Sequence, residues 1–259
     1  MVILEEFDPD RSAIINPPSG DLPEELIPDT AISCFTVGMF RALVRDICGG
    51  SGPPAAYTAG MGRPIYFSEY NGKKLAFYLS PVGAPACAAA LEDIYAMGVK
   101  KVVLFGTCGV LDRTIPDGSV IIPDSAVRDE GTSYHYAPPS DEITIPQKYR
   151  ETFMALLKES DIPFTIGKVW TTDAVYRETR AKTEKRRQQG CVCVDMECSA
   201  LAAVSQFRNR ELFQFLYASD NLDEDTWEPR SLSYDKIKGL KKQIAILAAE
   251  LAVRISDDD

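Results

Sequence analysis

The feature that most constrains the fold is a strand, helix and strand in immediate succession. Residues 75–79 are apolar and β-prone, residues 86–97 form a helical pattern of small side chains, and residues 101–105 form a second apolar run. A βαβ unit of this kind joins parallel strands through a right-handed crossover. A hairpin precedes it, because Asn71-Gly72 separates two alternating segments and favours a two-residue turn. The sequence therefore predicts an α/β fold built on a sheet that contains parallel strands.

Two carboxylates follow strand-like runs in the second half of the chain. Met196-Glu197 comes directly after the apolar residues of 191–194 and begins an alanine-rich helical pattern. Ser219-Asp220 ends the run at 212–217 in the same way. Ligands of α/β sheets bind beyond the carboxyl ends of strands, so we expect one site to use both acids.

The rest of the chain indicates a single domain with an N-terminal extension. Residues 1–30 are rich in proline and acidic residues, which predicts an extended arm, and residues 31–259 are predicted to form one α/β domain. Further helices are expected near 39–47 and 149–158, and a charged, solvated helix is expected at 177–187. Leu240, Ile244, Leu247 and Leu251 form the apolar stripe of a closing helix. Between the last strand and this helix, residues 221–230 form an acidic loop that could act as a lid.

Composition excludes several classes of partner. The net charge is −10 and the pI about 4.8, which argues against nucleic-acid and anionic-membrane surfaces. The seven cysteines lie mostly in apolar runs and lack CxxC spacing, so we expect buried thiols and no metal site. No stretch resembles a signal peptide or a membrane span, and we expect a soluble, cytoplasmic protein.

Two further segments carry groups that suit ligand binding. Gly106-Thr-Cys-Gly109 follows a strand, and its amides and threonine hydroxyl could bind an oxyanion, although such a segment is often only a tight turn. Residues 128–136 form a polar, aromatic loop with the only histidine, His135. A surface imidazole and a ligand-contacting one are equally compatible with that position.

Five short motifs in this order resemble the nucleoside phosphorylase family of bacterial purine nucleoside phosphorylase and uridine phosphorylase. They are Val82-Gly-Ala-Pro85, Phe105-Gly-Thr-Cys-Gly109, Arg128 to Tyr136, Val194-Asp-Met-Glu197 and Ser219-Asp220. The resemblance covers roughly residues 65–255. It implies a single α/β domain with a mixed, partly barrel-like central sheet flanked by helices, and a homo-oligomer, either hexamer or dimer.

The resemblance also implies roles for particular residues. Glu197 would accept hydrogen bonds from the ribose 2′- and 3′-hydroxyls and Met196 would pack on the sugar, and neither role requires a shifted pKa. Asp220 would deliver a proton toward N7 of a purine, which requires a carboxyl group that is protonated at neutral pH. Gly106 and Thr107 would bind phosphate. Val175, Tyr176 and Val194 would contact the base, with Trp170 as a weaker stacking candidate, although each of these apolar residues is also compatible with a core position.

The sequence departs from the family pattern on the phosphate side. The Gly-Asp-Pro-x-Arg loop of the family is replaced by Thr36-Val-Gly-Met-Phe-Arg41, and Leu104 stands where an arginine usually precedes the phosphate-binding segment. Arg41, Arg63 and Arg128 are the candidates to restore the positive charge, with inorganic phosphate as co-substrate and no other cofactor. Phosphorolysis of a purine nucleoside is the predicted reaction. Uridine phosphorolysis, hydrolysis by water and nucleoside binding without catalysis remain alternatives.

Overall fold

The computed structural model describes residues 3–20, 22–47, 49, 52–223, 226–232 and 237–257. Several predicted features fall partly outside these ranges: Cys48, the start and residue 21 of the N-terminal arm, residues 224 and 225 of the acidic loop, and the last two aspartates.

The described residues form ten strands and six α-helices. The strands are β1 (Thr30–Cys34), β2 (Ala56–Tyr57), β3 (Pro64–Tyr70), β4 (Lys73–Leu79), β5 (Lys101–Val110), β6 (Val120–Asp129), β7 (Glu142–Thr144), β8 (Phe164–Thr172), β9 (Cys191–Asp195) and β10 (Glu211–Asn221). The helices are α1 (Val37–Ile47), α2 (Ala84–Met97), α3 (Arg150–Glu159), α4 (Arg180–Gln188), α5 (Cys198–Arg208) and α6 (Lys238–Ile255).

Five of the strands close into a barrel within a larger sheet. Around the barrel, β5 pairs with β10, β10 with β6, β6 with β8, β8 with β9, and β9 returns to β5. From β5 the sheet continues outward through β1, β4, β3 and β2. Parallel and antiparallel pairs both occur, so the predicted mixed, partly barrel-like α/β domain is confirmed.

The local predictions around the βαβ unit are also confirmed. Asn71 and Gly72 form the turn between β3 and β4 with φ of 48° and 77°, the left-handed conformations that a type I′ turn requires. Strand β4, helix α2 and strand β5 follow in order. The strands β4 and β5 both pair in parallel with β1, which lies between them.

Side chains of β5 alternate between the two faces of the sheet and pack against helices on both. Val103 and Phe105 pack into a cluster with residues of α1, α3 and α6. Val102 and Leu104 point the other way and pack with residues of α2 and α5. Because successive strand residues face opposite sides, one apolar run supplies both layers of the core.

Two sequence predictions about strand ends need correction. Gly106-Thr-Cys-Gly109 is not a turn after the strand but its continuation, paired with β10 from Leu216 to Asp220. Asp220 likewise lies inside β10, beside a register shift after Ala218. The glycines are needed for close approach: a Cβ on Gly106 would lie 2.6 Å from the Phe35 ring, and one on Gly109 would lie 2.4 Å from Leu222 Cδ1.

The remaining elements match the sequence patterns. Ile244, Leu247 and Leu251 of α6 are buried, and Leu240 is partly buried against the same cluster. The six described cysteines are buried and unpaired. Among the described residues, no helix combines the length and apolar character that crossing a bilayer requires.

The segment before β1 contains only short 3-10 turns among its described residues. Phe7 makes an edge-on contact with Phe207, and the Arg208 guanidinium donates a hydrogen bond to the Arg11 carbonyl at 2.7 Å. Ile14 and Ile15 are fully exposed. The boundary of an arm at residue 30 stays a prediction.

Candidate active site

Glu197 occupies the junction between β9 and α5. Its side chain is buried, and the Gly83 amide donates a hydrogen bond to Oε1 at 2.6 Å. Gly83 immediately precedes α2 and has a φ of 96°, a conformation that favours glycine. Two chain segments far apart in sequence are thus joined at this carboxylate.

Asp195 fixes the backbone that carries Glu197. Its Oδ2 accepts hydrogen bonds from the amides of Glu197 at 3.1 Å and Cys198 at 2.7 Å, as a capping carboxylate does at the start of a helix. Its Oδ1 accepts a bond from the Thr171 hydroxyl at 2.7 Å. Thr171 Oγ1 in turn accepts from the Ser199 amide at 3.0 Å, so the start of α5 is held by a closed network.

Burial raises the pKa of Glu197 above that of an ordinary glutamate, and the negative charge of nearby Asp195 raises it further. This shift was not anticipated from the sequence. A buried carboxyl group beside a second carboxyl group is costly to leave without hydrogen-bond donors. Ligand hydroxyl groups that donate hydrogen bonds to it would therefore stabilise it.

Asp220 lies on β10, which pairs with β5 on the side opposite to β9 and Glu197. Trp227 Nε1 donates a hydrogen bond to Oδ2 at 2.8 Å, and the Ser219 hydroxyl lies within donating distance of Oδ1, at 3.0 Å, and of the Cys108 carbonyl, at 3.2 Å. Trp227 comes from the predicted acidic loop, whose described part folds back through a bridge between Asn221 and Glu228. Both oxygens of Asp220 therefore have a donor within hydrogen-bond distance.

A cavity of about 870 Å³, here called the Asp220 cavity, opens beside this group. Its walls include Val175 and Tyr176 of the turn after β8, Glu178, Asp220 and Trp227. Glu178 is partly buried, and burial together with the charge of Asp220 raises its pKa to about 7. The cavity thus combines apolar and aromatic surface with charged groups of both signs, among them the Glu178 and Asp220 carboxyl groups.

A second cavity of about 1130 Å³, here called the Thr107 cavity, lies on the side of the sheet that α1 and α6 cover. Thr107 and Tyr217 contribute to its floor. Around it stand five cationic side chains, Arg41, Arg45, Lys238, Lys241 and Lys242, and Asp46 is its one acidic lining residue among those the structure describes. The wall is therefore cationic in a protein whose net charge is −10.

The two cavities are neighbours along one pair of strands. In the β5–β10 register Thr107 pairs with Tyr217 and Gly109 pairs with Asp220. Leu232 lines both cavities. Glu197 follows β9, which pairs with β5 on its other side, so the two acids flank β5 rather than ending adjacent strands.

The three arginines proposed for phosphate have different surroundings. Arg41 lines the Thr107 cavity and forms no ion pair or hydrogen bond with the described residues. Arg63 lies outside that cavity, and its buried Nε has no partner in the described part of the chain. Arg128 is buried, donates hydrogen bonds to Ser133 Oγ and the Pro138 carbonyl, and lies over the Tyr134 ring. Within this chain, only Arg41 of the three reaches the Thr107 cavity.

The residues proposed to contact the base fall into two groups, one lining a cavity and one in the core. Val175 and Tyr176 are exposed and line the Asp220 cavity, whereas Val194 and Trp170 are buried together in one core cluster. Trp170 Nε1 donates to Asp129 Oδ2 at 3.0 Å, which satisfies its polar atom within the fold. Met196 is partly buried beside Glu197, and Gly106 is buried within β5. His135 is exposed at the end of the 3-10 turn Thr132–His135.

Sequence reasoning did not single out Glu178, Trp227 or the lysines of α6. Glu178 is two residues beyond Tyr176, within a segment already assigned to the base. Nothing in the sequence distinguishes it from glutamates that are exposed on the surface. Lys238, Lys241 and Lys242 begin the closing helix, and only packing of that helix against α1 brings them to the Thr107 cavity.

The described residues thus form an α/β domain with a barrel in its sheet, a buried acid after β9 and two neighbouring cavities beside β5 and β10. A sequence profile described as the phosphorylase superfamily matches residues 30–256. The chain belongs to this superfamily, which confirms the family resemblance found in its motifs.

Individual relatives are distant. The chain is 28% identical over 163 residues to uncharacterized protein R802 of Acanthamoeba polyphaga mimivirus, covering 62% of each. It is 24% identical over 149 residues to the guanosine phosphorylase of Halorubrum lacusprofundi, covering 55% of this chain and 59% of that protein. The DeoD-type purine nucleoside phosphorylase of Bacillus cytotoxicus is 24% identical over 191 residues, covering 70% of this chain and 79% of the relative. The chain thus spans about three fifths of the length of the first two relatives.

Among solved structures, the fold resembles that of purine nucleoside phosphorylase from Toxoplasma gondii. The TM-score is 0.79 at 18% identity, and the match covers 96% of this chain and all of the other. This similarity concerns the fold.

Proposed function

We propose that this protein catalyses phosphorolysis of a purine nucleoside, giving the free base and ribose 1-phosphate. In this reaction a phosphate oxygen attacks C1′ while the bond from C1′ to N9 of the base breaks through a transition state with oxocarbenium character. The site must therefore hold the ribose, place phosphate on one side of it and neutralise the departing base on the other.

The single observation that carries the proposal is the charge of the Thr107 cavity. Five cationic side chains line this cavity together with Thr107, and Asp46 is the one carboxylate among its described lining residues. Some of these cations are already engaged: Arg45 pairs with Asp46 at 2.7 Å, and Lys241 Nζ donates to the Ser231 carbonyl at 3.3 Å. Arg41 has no such partner in the described chain, so it is the most available cation for a dianion.

This arrangement bears on the replacement of the usual arginine by Leu104. Leu104 is fully buried in the cluster under α2 and α5, on the other side of the sheet from the cluster under α1, α3 and α6. We propose that Arg41 and the lysines at the start of α6 supply the positive charge instead. Charge-assisted hydrogen bonds are about twice as strong as neutral ones, so even one such contact favours phosphate over water.

The ribose and base complete the assignment. Glu197, oriented by Gly83 and Asp195, would accept hydrogen bonds from the ribose hydroxyls, with Met196 against the sugar. The base would occupy the Asp220 cavity between Val175, Tyr176 and Trp227, near the carboxyl groups of Glu178 and Asp220. A carboxyl donor suits a purine, whose N7 accepts the proton as the bond breaks, and the relatives from Halorubrum and Bacillus carry guanosine and purine nucleoside phosphorylase names.

The test is nucleoside turnover with and without inorganic phosphate. Inosine, guanosine, adenosine and uridine are incubated with the protein, and free base and ribose 1-phosphate are measured. We expect phosphate-dependent release of purine and little release of uracil. Base release that is indifferent to phosphate, with ribose as the sugar product, would contradict the proposal.

Hydrolysis by water is the second candidate, and Leu104 is the observation that favours it. The same assay separates the two, because hydrolysis yields ribose and does not saturate with phosphate. Binding of a nucleoside in calorimetry without any turnover would indicate a binding protein. Preferential release of uracil would indicate uridine phosphorolysis.

A further inference from the structure

Glu178 and Asp220 share a cavity but differ in how the protein holds them. Trp227 donates a hydrogen bond to one oxygen of Asp220 at 2.8 Å, and the Ser219 hydroxyl, whose one proton the Cys108 carbonyl shares at 3.2 Å, lies 3.0 Å from the other. The Glu178 carboxyl accepts none from the described residues, although it is partly buried. Donors on both oxygens stabilise a carboxylate, whereas a partly buried carboxyl without donors favours the neutral acid.

From this geometry we infer that Glu178, rather than Asp220, is the general acid that protonates the departing base. The inference rests on the proposed function, because it assigns the proton donor of that same reaction. Asp220 then acts as the neighbouring carboxylate whose charge keeps the proton on Glu178.

The charged groups around Glu178 are consistent with this division. Those that line the cavity with it are Arg113, Arg180, Glu184, Arg187, Asp220 and Asp223. Two of the arginines have carboxylate partners of their own: Arg187 pairs with Asp223 at 2.7 Å and Glu184 at 3.4 Å, and Arg113 pairs with Asp223 at 3.6 Å. Asp220 is the charge that acts on Glu178, and together with burial it raises the pKa of Glu178 to about 7. An acid with a pKa near the working pH is well suited to proton transfer.

The step balances as follows. The electron pair of the C1′–N9 bond passes to the purine, the Glu178 O–H bond breaks, and its proton forms the N7–H bond of the free base. A phosphate oxygen forms the new bond to C1′. The attacking hydrogen phosphate leaves as ribose 1-phosphate and releases one proton through solvent, which restores the acid form of Glu178.

The decisive comparison uses guanosine and 7-methylguanosine with the E178Q variant. A purine methylated at N7 carries positive charge there and departs without receiving a proton. We expect E178Q to lower kcat for guanosine by about 10²–10⁴-fold, the usual contribution of a general acid. Turnover of 7-methylguanosine should be nearly retained, which also shows that the variant is folded.

The Glu184→Gln variant is the matched control, because it removes another carboxylate from the same cavity. Glu184 already pairs with Arg187 and with Gln188, so its loss should reduce guanosine turnover far less than E178Q does. The D220N variant should also be less damaging than E178Q, since it removes a charge but not the proton donor.

The pH dependence supplies a second readout. With Glu178 as acid, kcat for guanosine is high below its pKa of about 7 and falls as pH rises through it. The D220N variant should move that fall to lower pH, because the negative charge that helps retain the proton is gone. The fall should be absent with 7-methylguanosine at the same phosphate concentrations.

If the E178Q variant loses activity equally with guanosine and 7-methylguanosine, or loses none with either, Glu178 is not the general acid. That result would leave the proposed function intact. A larger guanosine-selective loss in D220N than in E178Q would return the acid role to Asp220. Wild-type protein that turns over none of inosine, adenosine, guanosine and 7-methylguanosine would overturn the proposed function and the inference with it. Hydrolysis without phosphate would overturn only the phosphorolysis, because the leaving base needs its proton in either reaction.

Discussion

The Thr107 cavity and the Asp220 cavity lie side by side along β5 and β10 but differ in the charge and the burial of their lining residues. The Thr107 cavity collects long cationic side chains from two helices, and most of them are exposed. The Asp220 cavity mixes four carboxyl groups with three arginines, and its Glu178 and Asp220 carboxyl groups are partly buried. Exposed charges are screened and contribute little each, whereas partly buried carboxyl groups respond strongly to their neighbours. The comparison predicts that single substitutions matter more around the acids than around the cations.

The largest effect should come from Glu197, the buried acid at the start of α5. Glu197→Ala removes the acceptor of two expected ribose hydrogen bonds, and hydrogen bonds to a charged group contribute about 1.5–3 kcal/mol each. The value of kcat/KM should therefore fall by roughly 10²–10⁴-fold for every nucleoside. Steady-state kinetics with inosine and guanosine measure it. A loss below tenfold would remove Glu197 from the ribose site.

The next effect tests the strand between the cavities. Gly109→Ala places a Cβ 2.4 Å from Leu222 Cδ1 and 3.3 Å from Asp220 Oδ2. Overpacking of this kind costs about 1–3 kcal/mol, which should appear as a lower midpoint of denaturant unfolding. Gly131→Ala is the control, because a Cβ there meets nothing within 4 Å among the described atoms. Equal midpoints for the two variants would show that Leu222 moves aside readily.

A smaller effect is expected on the cationic side. Arg41→Ala should raise the KM for phosphate by about tenfold, the loss expected from one exposed charge-assisted contact, with little change in kcat. Arg45→Ala is the matched control on the same helix, since Arg45 is already paired with Asp46. If both variants leave the phosphate KM unchanged, the Thr107 cavity does not bind the nucleophile through α1.

An effect of comparable size is expected from the hydrogen bond that holds Asp220. Trp227→Phe keeps an aromatic wall but removes the donor to Oδ2, and a net loss of about 0.5–1.5 kcal/mol corresponds to a 2- to 13-fold decrease in kcat/KM for purine nucleosides. The phosphate KM should be unchanged, because Trp227 lines only the Asp220 cavity of the two. A change confined to the phosphate KM would contradict this separation.

Much of this architecture was accessible from local sequence signals. The Asn71-Gly72 turn, the βαβ unit and the stripe of α6 each depend on neighbours within a few residues, and the structure confirms all three. The motifs identified the family, and the matched profile confirms it. Roles assigned by resemblance to Glu197, Met196, Asp220 and Thr107 stay predictions, although the structure places Asp220 and Thr107 at the walls of neighbouring cavities.

What the sequence determined by itself was therefore the class of fold, the family and the two acids, because periodicity and short motifs are written in consecutive residues. Only the tertiary structure decided that β5 separates Glu197 from Asp220, that Arg128 is bound to backbone carbonyls, and that Arg41 meets the lysines of α6. It also decided that Glu178 shares a cavity with Asp220 and that its carboxyl group accepts no hydrogen bond from the described residues. These facts depend on how distant segments pack, and burial and charge at a carboxyl group are set by that packing and not by its position in the chain.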